Sequence, residues 1–149
     1  MPDTKPSLDG FIAFCRAAGM TTAIIPDDDP GFATAFAFAE AWAPHLLRVV
    51  SCVLYTAAVY NWGASNLIQF QQDQEGQTYF ADFRKACNEF DFVPGVVSST
   101  ADESTSTTLT VGKQLSNMGL IELQQVKNPF GRQALAILGA LGPNPWGLS

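Results

Sequence analysis

The chain has 149 residues, 47% of them apolar and 15% charged, with mean hydropathy +0.09, formal charge −6 and an isoelectric point near 4.5. That length suits one domain able to bury a core without metals or disulfides, and the acidic balance argues against wrapping phosphate backbones, which takes clustered Lys and Arg. So few charges suggest a protein that buries part of its surface in an assembly.

Cys15, Cys52 and Cys87 are odd in number and sit in apolar contexts, so buried free thiols are expected rather than a disulfide framework. The opening MPDTKPSLDG has neither a basic nor an apolar region of the secretory kind, and folding in a reducing cytoplasm fits best.

Residues 1–7 read as a loose arm, followed by a helix to about Ala18 capped by Ser7 or Asp9, with Leu8, Phe11, Ile12 and Cys15 on one face and Gly19 ending it. TTAIIPDDD is a connector whose Asp29 and Pro30 form an N-cap and first-position pair. The next helix runs to about Ala43, with Phe32, Ala35, Phe36, Ala39 and Trp42 on its apolar face and Phe38 widening it.

The stretch 44–72 is the most apolar of the chain and is expected as one central helix, begun by Pro44 and buried on nearly every side. It should bend or end near Gly63 and emerge into solvent beyond it. Its segment 46–62 is at the short limit for a membrane span and contains Arg48, so a buried core helix is preferred.

A fourth helix is expected over 79–92, with Tyr79, Phe83, Ala86, Cys87 and Phe90 inward and Asp82, Arg84, Lys85 and Glu89 on its wet side. Of the eleven residues at 98–108, eight are Ser or Thr, which predicts a loop or an extended segment. Thr107, Leu109 and Val111 alternate as in a strand, and 120–126, whose apolar residues satisfy both a strand and a helical turn, is read as its partner in a weak hairpin. Asn128 and Pro129 open a last helix with Phe130, Ala134, Ile137, Leu138 and Leu141 as its stripe, stopped by Gly142 and Pro143. The tail PNPWGLS offers Trp146 and Leu148 as anchors on an extended backbone set by Pro143 and Pro145, suited to docking in a groove or folding back on its own domain.

The expected fold is therefore mainly α: a single helical domain over 1–149, bundled around a central apolar helix, with a flexible arm at 1–7, a Ser/Thr-rich loop or hairpin within 95–127, and a C-terminal helix followed by a tail at 142–149.

Catalytic patterns are missing from the sequence. His45 is the only histidine and has no carboxylate three or four residues on. Counted from Asp27, the sixth and twelfth positions that a calcium loop needs as Gly and Glu are Phe32 and Phe38. Gly112-Lys113 lacks the rest of a phosphate loop, and Gly63-Ala64-Ser65-Asn66-Leu67 lacks the second glycine of a nucleophile elbow. No enzyme activity, cofactor or metal is expected.

Two stretches carry a family resemblance. The block 7–72 joins a short helix, the acidic helix start PDDDPGF and a long apolar helix, and NPFGRQALAILGAL at 128–141 opens a helix with an aromatic residue and a glycine. In these the chain resembles the head-to-tail adaptor (connector) proteins of long-tailed bacteriophages. The segment 79–108 departs from that pattern as an expansion. The resemblance implies a structural virion protein, assembled in the host cytoplasm, that forms a homo-oligomeric, dodecameric ring at the neck. Such a ring sits on the portal protein, continues the DNA channel without specific DNA binding, and offers the next neck or tail protein a docking surface; no membrane is involved. The partner-binding residues are then expected to be Thr107, Leu109 and Val111, which can add a strand to a neighbour, and Pro143, Pro145, Trp146 and Leu148, which can insert between portal subunits. The alternative is a small cytoplasmic helical interaction or regulatory domain without catalytic activity.

Overall fold

The computed structural model describes residues 5–87, 99–102, 105–108 and 125–140. Among them are α1 (Leu8–Ala17), α2 (Pro30–Trp42), α3 (His45–Val50), α4 (Cys52–Phe70), α5 (Tyr79–Ala86), α6 (Pro129–Gly139) and an antiparallel pair, β1 (Ser99–Asp102) with β2 (Thr105–Thr108). The expectation of a mainly helical chain holds. The arm below residue 5, the continuation of the fourth helix beyond Cys87, Leu109, Val111, the partner segment 120–124 and the tail from Leu141 onward lie outside the described residues.

Three helix starts form as the side chains dictate. The Ser7 hydroxyl accepts from the Gly10 amide at 3.1 Å, the Asp29 carboxylate from Gly31 at 2.7 Å and the Asn128 carbonyl from Gly131 at 2.8 Å, each satisfying one orphan donor of a first turn. Proline at the first position of α2 and α6 costs no hydrogen bond there. Gly19 closes α1 at φ +96, in the left-handed region that favours glycine.

The central segment is two helices rather than one, and the break falls at Ser51, not at Gly63. Ser51 is extended (φ −157, ψ 113); its amide still bonds the Leu47 carbonyl at 2.8 Å, while its hydroxyl accepts from Leu54 at 3.3 Å. One serine thus ends α3 and caps α4. Pro44 is accordingly the residue before α3 rather than its first helical position.

Burial along this segment is the reverse of the expectation. Residues 61–65, 67 and 68 are buried, whereas Leu46, Val49, Val50, Val53 and Leu54 are exposed, Val49 to 83%. The physical reason is size. Gly63, Ala64 and Ser65 allow other elements to approach α4 closely: a Cβ on Gly63 would lie 2.8 Å from the Phe11 ring. The wider side chains near the α3/α4 junction have no comparable cover.

Helix α4 touches α1, α2, α3, α5 and α6. Its C-terminal half, with Ala64, Leu67 and Ile68, joins Phe11, Cys15, Met20, Ile25, Phe32 and Phe80 in one core. Its N-terminal half, with Tyr55, Ala58, Val59 and Trp62, joins Ala39, Leu47, Ala134 and Leu138 in a second. Phe38, expected to widen the inward face of α2, is 59% exposed.

Two arginines serve backbone rather than surface. Arg16 donates to the carbonyls of Met20 (2.5 Å) and Ile25 (2.8 Å) and pairs with Asp27, tying down the connector while its guanidinium lies over the Phe32 ring. Arg84, expected on the wet side, donates to the carbonyls of Ile68 (2.8 Å) and Gln71 (2.9 Å), which the end of α4 leaves without helical partners. At the other end of α5, Asp73 accepts from the amides of Phe80 (2.7 Å) and Ala81 (2.9 Å), capping it from seven residues away. The inward face of α5 is rotated from the expected one: Phe80 is fully buried and Ala86 exposed.

A hairpin is present among the described residues. It forms inside the Ser/Thr-rich stretch, with Ser99 opposite Thr108 and Asp102 opposite Thr105, where β-branched threonines suit a strand. Gln125 is helical and Val126 lies in the turn that leads into α6, which fits the helical rather than the strand reading of this end of 120–126.

Gly63→Val should lower unfolding free energy by about 1–3 kcal/mol, as expected for overpacking against an aromatic ring, and this is read from a urea titration. Gly139→Ala, where an added Cβ meets nothing within 4 Å, should cost no stability in the same assay.

Candidate functional site

The described surface carries a concave feature of ligand size, a groove of about 560 Å³ between α2 and α4. Its orientation follows from antiparallel packing: Asp29 before α2 meets Gln71 after α4, and Trp42 at the end of α2 stacks on Trp62 at 6.1 Å and 21°. The apolar walls are Phe38 and Trp42 on one side and Trp62 and Phe70 on the other, over a floor of Ala35 and Leu67. Phe70 is 71% exposed.

The polar groups of this groove are all neutral: Thr34, Asn66, Gln69, Gln71 and Gln125. Among the described residues no Asp, Glu, Lys, Arg or His lines it. Several of the amides are held in place. Gln71 donates to both Asp29 carboxylate oxygens at 3.3 Å, and Gln125 donates to the Asn66 oxygen at 3.4 Å. Behind Gln125, the Ser65 hydroxyl donates to its side-chain oxygen while Asn128 donates to Ser65 at 2.7 Å. Gly131 lets this turn approach, since a Cβ there would sit 2.0 Å from the Gln125 carbonyl oxygen. The site is therefore an aromatic trough edged by fixed carboxamides, able to bury apolar groups and to hydrogen-bond neutral polar ones.

Of the sequence-predicted partner residues only Thr107 is among the described ones. Thr107 lies in β2, and Leu109, Val111, Pro143, Pro145, Trp146 and Leu148 lie outside the described residues. The groove residues were not singled out from sequence. Their available signal was α2 itself, whose Phe38 and Trp42 make a second apolar stripe, four residues apart, beside the buried one. His45 is exposed at the start of α3. Among the described residues no group of three or more His, Cys, Asp or Glu is placed to hold a metal ion, and no helix is long and apolar enough to cross a membrane.

The perturbed titrations all belong to the core. Burial pushes the Cys15 thiol up to about 12, partly opposed by the charge of Arg16. Tyr55 is raised by burial and then by the Glu40 carboxylate, and Tyr79 by burial and then by Cys15. No protein-family model, curated protein or solved structure matches the chain.

An acid whose folded pKa is raised contributes stability that is complete below its unfolded pKa and is lost as pH climbs towards the folded one. The three raised groups share this sign. Unfolding free energy should therefore fall from roughly pH 8.5, the ordinary thiol range, towards pH 12, and Cys15→Ala should make that fall shallower in urea titrations across the range. An equal slope in the variant would assign the alkaline loss elsewhere.

Proposed function

We propose that the chain is a structural subunit of a bacteriophage neck. In this reading it is a helical bundle around its apolar helix whose copies form a ring between the capsid portal and the tail, continuing the DNA channel. The observation that supports this is the apolar surface. Phe38, Trp42, Leu46, Val49, Val50, Val53, Leu54 and Phe70 are exposed in a chain with only 15% charged residues, and large exposed apolar surfaces mark interaction sites. A ring of identical copies provides closing interfaces that cover such a surface on every subunit. The net charge of −6 suits a conduit through which DNA slides without sticking. Partner contacts are assigned to Thr107, Leu109 and Val111 and to the uncharged segment containing Pro143, Pro145, Trp146 and Leu148.

A helical interaction domain is the second reading, and the neutral groove between α2 and α4 favours it. It differs in stoichiometry, remaining a monomer or dimer in every context.

Light scattering on the purified chain, followed by imaging after mixing with portal rings of long-tailed phages, separates the two. The neck reading predicts a closed ring, alone or on the portal, with a mass that is a whole multiple of 16.0 kDa. A monomer that ignores the portal contradicts it.

A further inference from the structure

The groove between α2 and α4 and the segment 143–149 match in chemistry. The groove is aromatic-walled and, among the described residues, is lined by no titratable side chain. The segment PNPWGLS contains no charged side chain, carries a tryptophan and a leucine, and has two prolines that restrict its backbone before binding. Proline-rich peptides dock in aromatic-lined grooves because little ordering entropy remains to be lost, and neutral carboxamides at the edge can take the peptide's backbone groups. Asn66, whose oxygen is used by Gln125, makes no hydrogen bond through its side-chain nitrogen among the described residues. Gln71 and Gln125 are held in place by Asp29 and Ser65.

We propose that the groove of one copy receives residues 143–149 of a second copy of this chain. The second copy is favoured over the chain's own tail by where α6 leads. Asn128 bonds Ser65 in the C-terminal half of α4, while Ala134, Ile137 and Leu138 share a core with Tyr55, Ala58 and Val59 of its N-terminal half and with Leu47 of α3, so α6 runs antiparallel to α4 and leads toward the α3/α4 junction. That junction bears the exposed Leu46, Val49, Val50 and Val53. A tail that crosses to a neighbour brings this apolar junction against that neighbour, so one contact covers both the groove and the junction. A tail folded onto its own groove leaves the junction in water. Because tail and groove are different surfaces, the contact is heterologous and repeats from copy to copy into a ring or a filament. This deepens the assembly reading above by naming the contact between copies.

The test uses two full-length variants, Trp146→Ala in the tail and Thr34→Arg at the exposed edge of the groove, with Thr34→Ser as a conservative control. Circular dichroism melts first establish that each is folded. Sedimentation should show the parent chain and Thr34→Ser self-associating, and either disabling variant at least about tenfold weaker, the scale expected for a buried tryptophan anchor. Mixed together, the two weak variants should form heterodimers, because one retains an intact tail and the other an intact groove. Association with equal strength in all chains would overturn the proposal while leaving a ring built through another face. A parent chain that stays monomeric alone and on the portal would overturn both readings. Loss in both variants without complementation on mixing would overturn docking between copies.

Discussion

Much of the fold depends on the close approach of Phe11 to the backbone of α4 at Gly63. The ring lies where a Cβ would be, which brings α1 onto α4 with no side chain between them. Phe11 then contacts Phe32, Phe36 and Tyr60 with ring centroids about 6 Å apart, linking α1, α2 and α4 in one aromatic group. Tyr60 extends the same arrangement outward, its hydroxyl accepting from the Ser7 amide at 3.1 Å where α1 begins. Close packing of this kind is available only where α4 is small. It therefore fixes which half of α4 is buried and leaves the apolar junction around Ser51 on the surface.

Four charged side chains in this protein serve the backbone of the fold. Arg16 and Arg84 bind carbonyls at a loop and at a helix end, and Asp29 and Asp73 bind amides at helix starts. Isolated surface ion pairs contribute little, whereas bonds to otherwise unpartnered backbone groups avoid the larger cost of leaving them unsatisfied. Using ionised groups this way leaves fewer of them to keep the exterior wet.

The parts of the fold legible in the sequence were those decided within a few residues. Ser7, Asp29 and Asn128 were readable as caps because capping is a contact between near neighbours, and the stripe Ala134, Ile137 and Leu138 was readable from its period. The break at Ser51 was not read, because a single serine in an apolar run also serves as an ordinary helical residue. The reversal of burial along α4 and the rotated face of α5 depend on which elements arrive from elsewhere, and apolar content alone does not rank the faces of a helix that is apolar nearly all round. The cap from Asp73 spans seven residues, outside the spacing that local rules cover. The groove required α2 and α4 to be placed side by side, so its lining, unlike its aromatic residues, had no sequence signature.

The central claim is that the exposed apolar surface of α2, α3 and α4 is covered by other copies of the chain. Hydrogen–deuterium exchange at low and high protein concentration tests it directly, read peptide by peptide. The account predicts that exchange slows with concentration over 31–42, 45–54 and 66–71 and is unchanged in the Phe11 core, which is buried within each copy. Equal exchange over those segments at every concentration would contradict it.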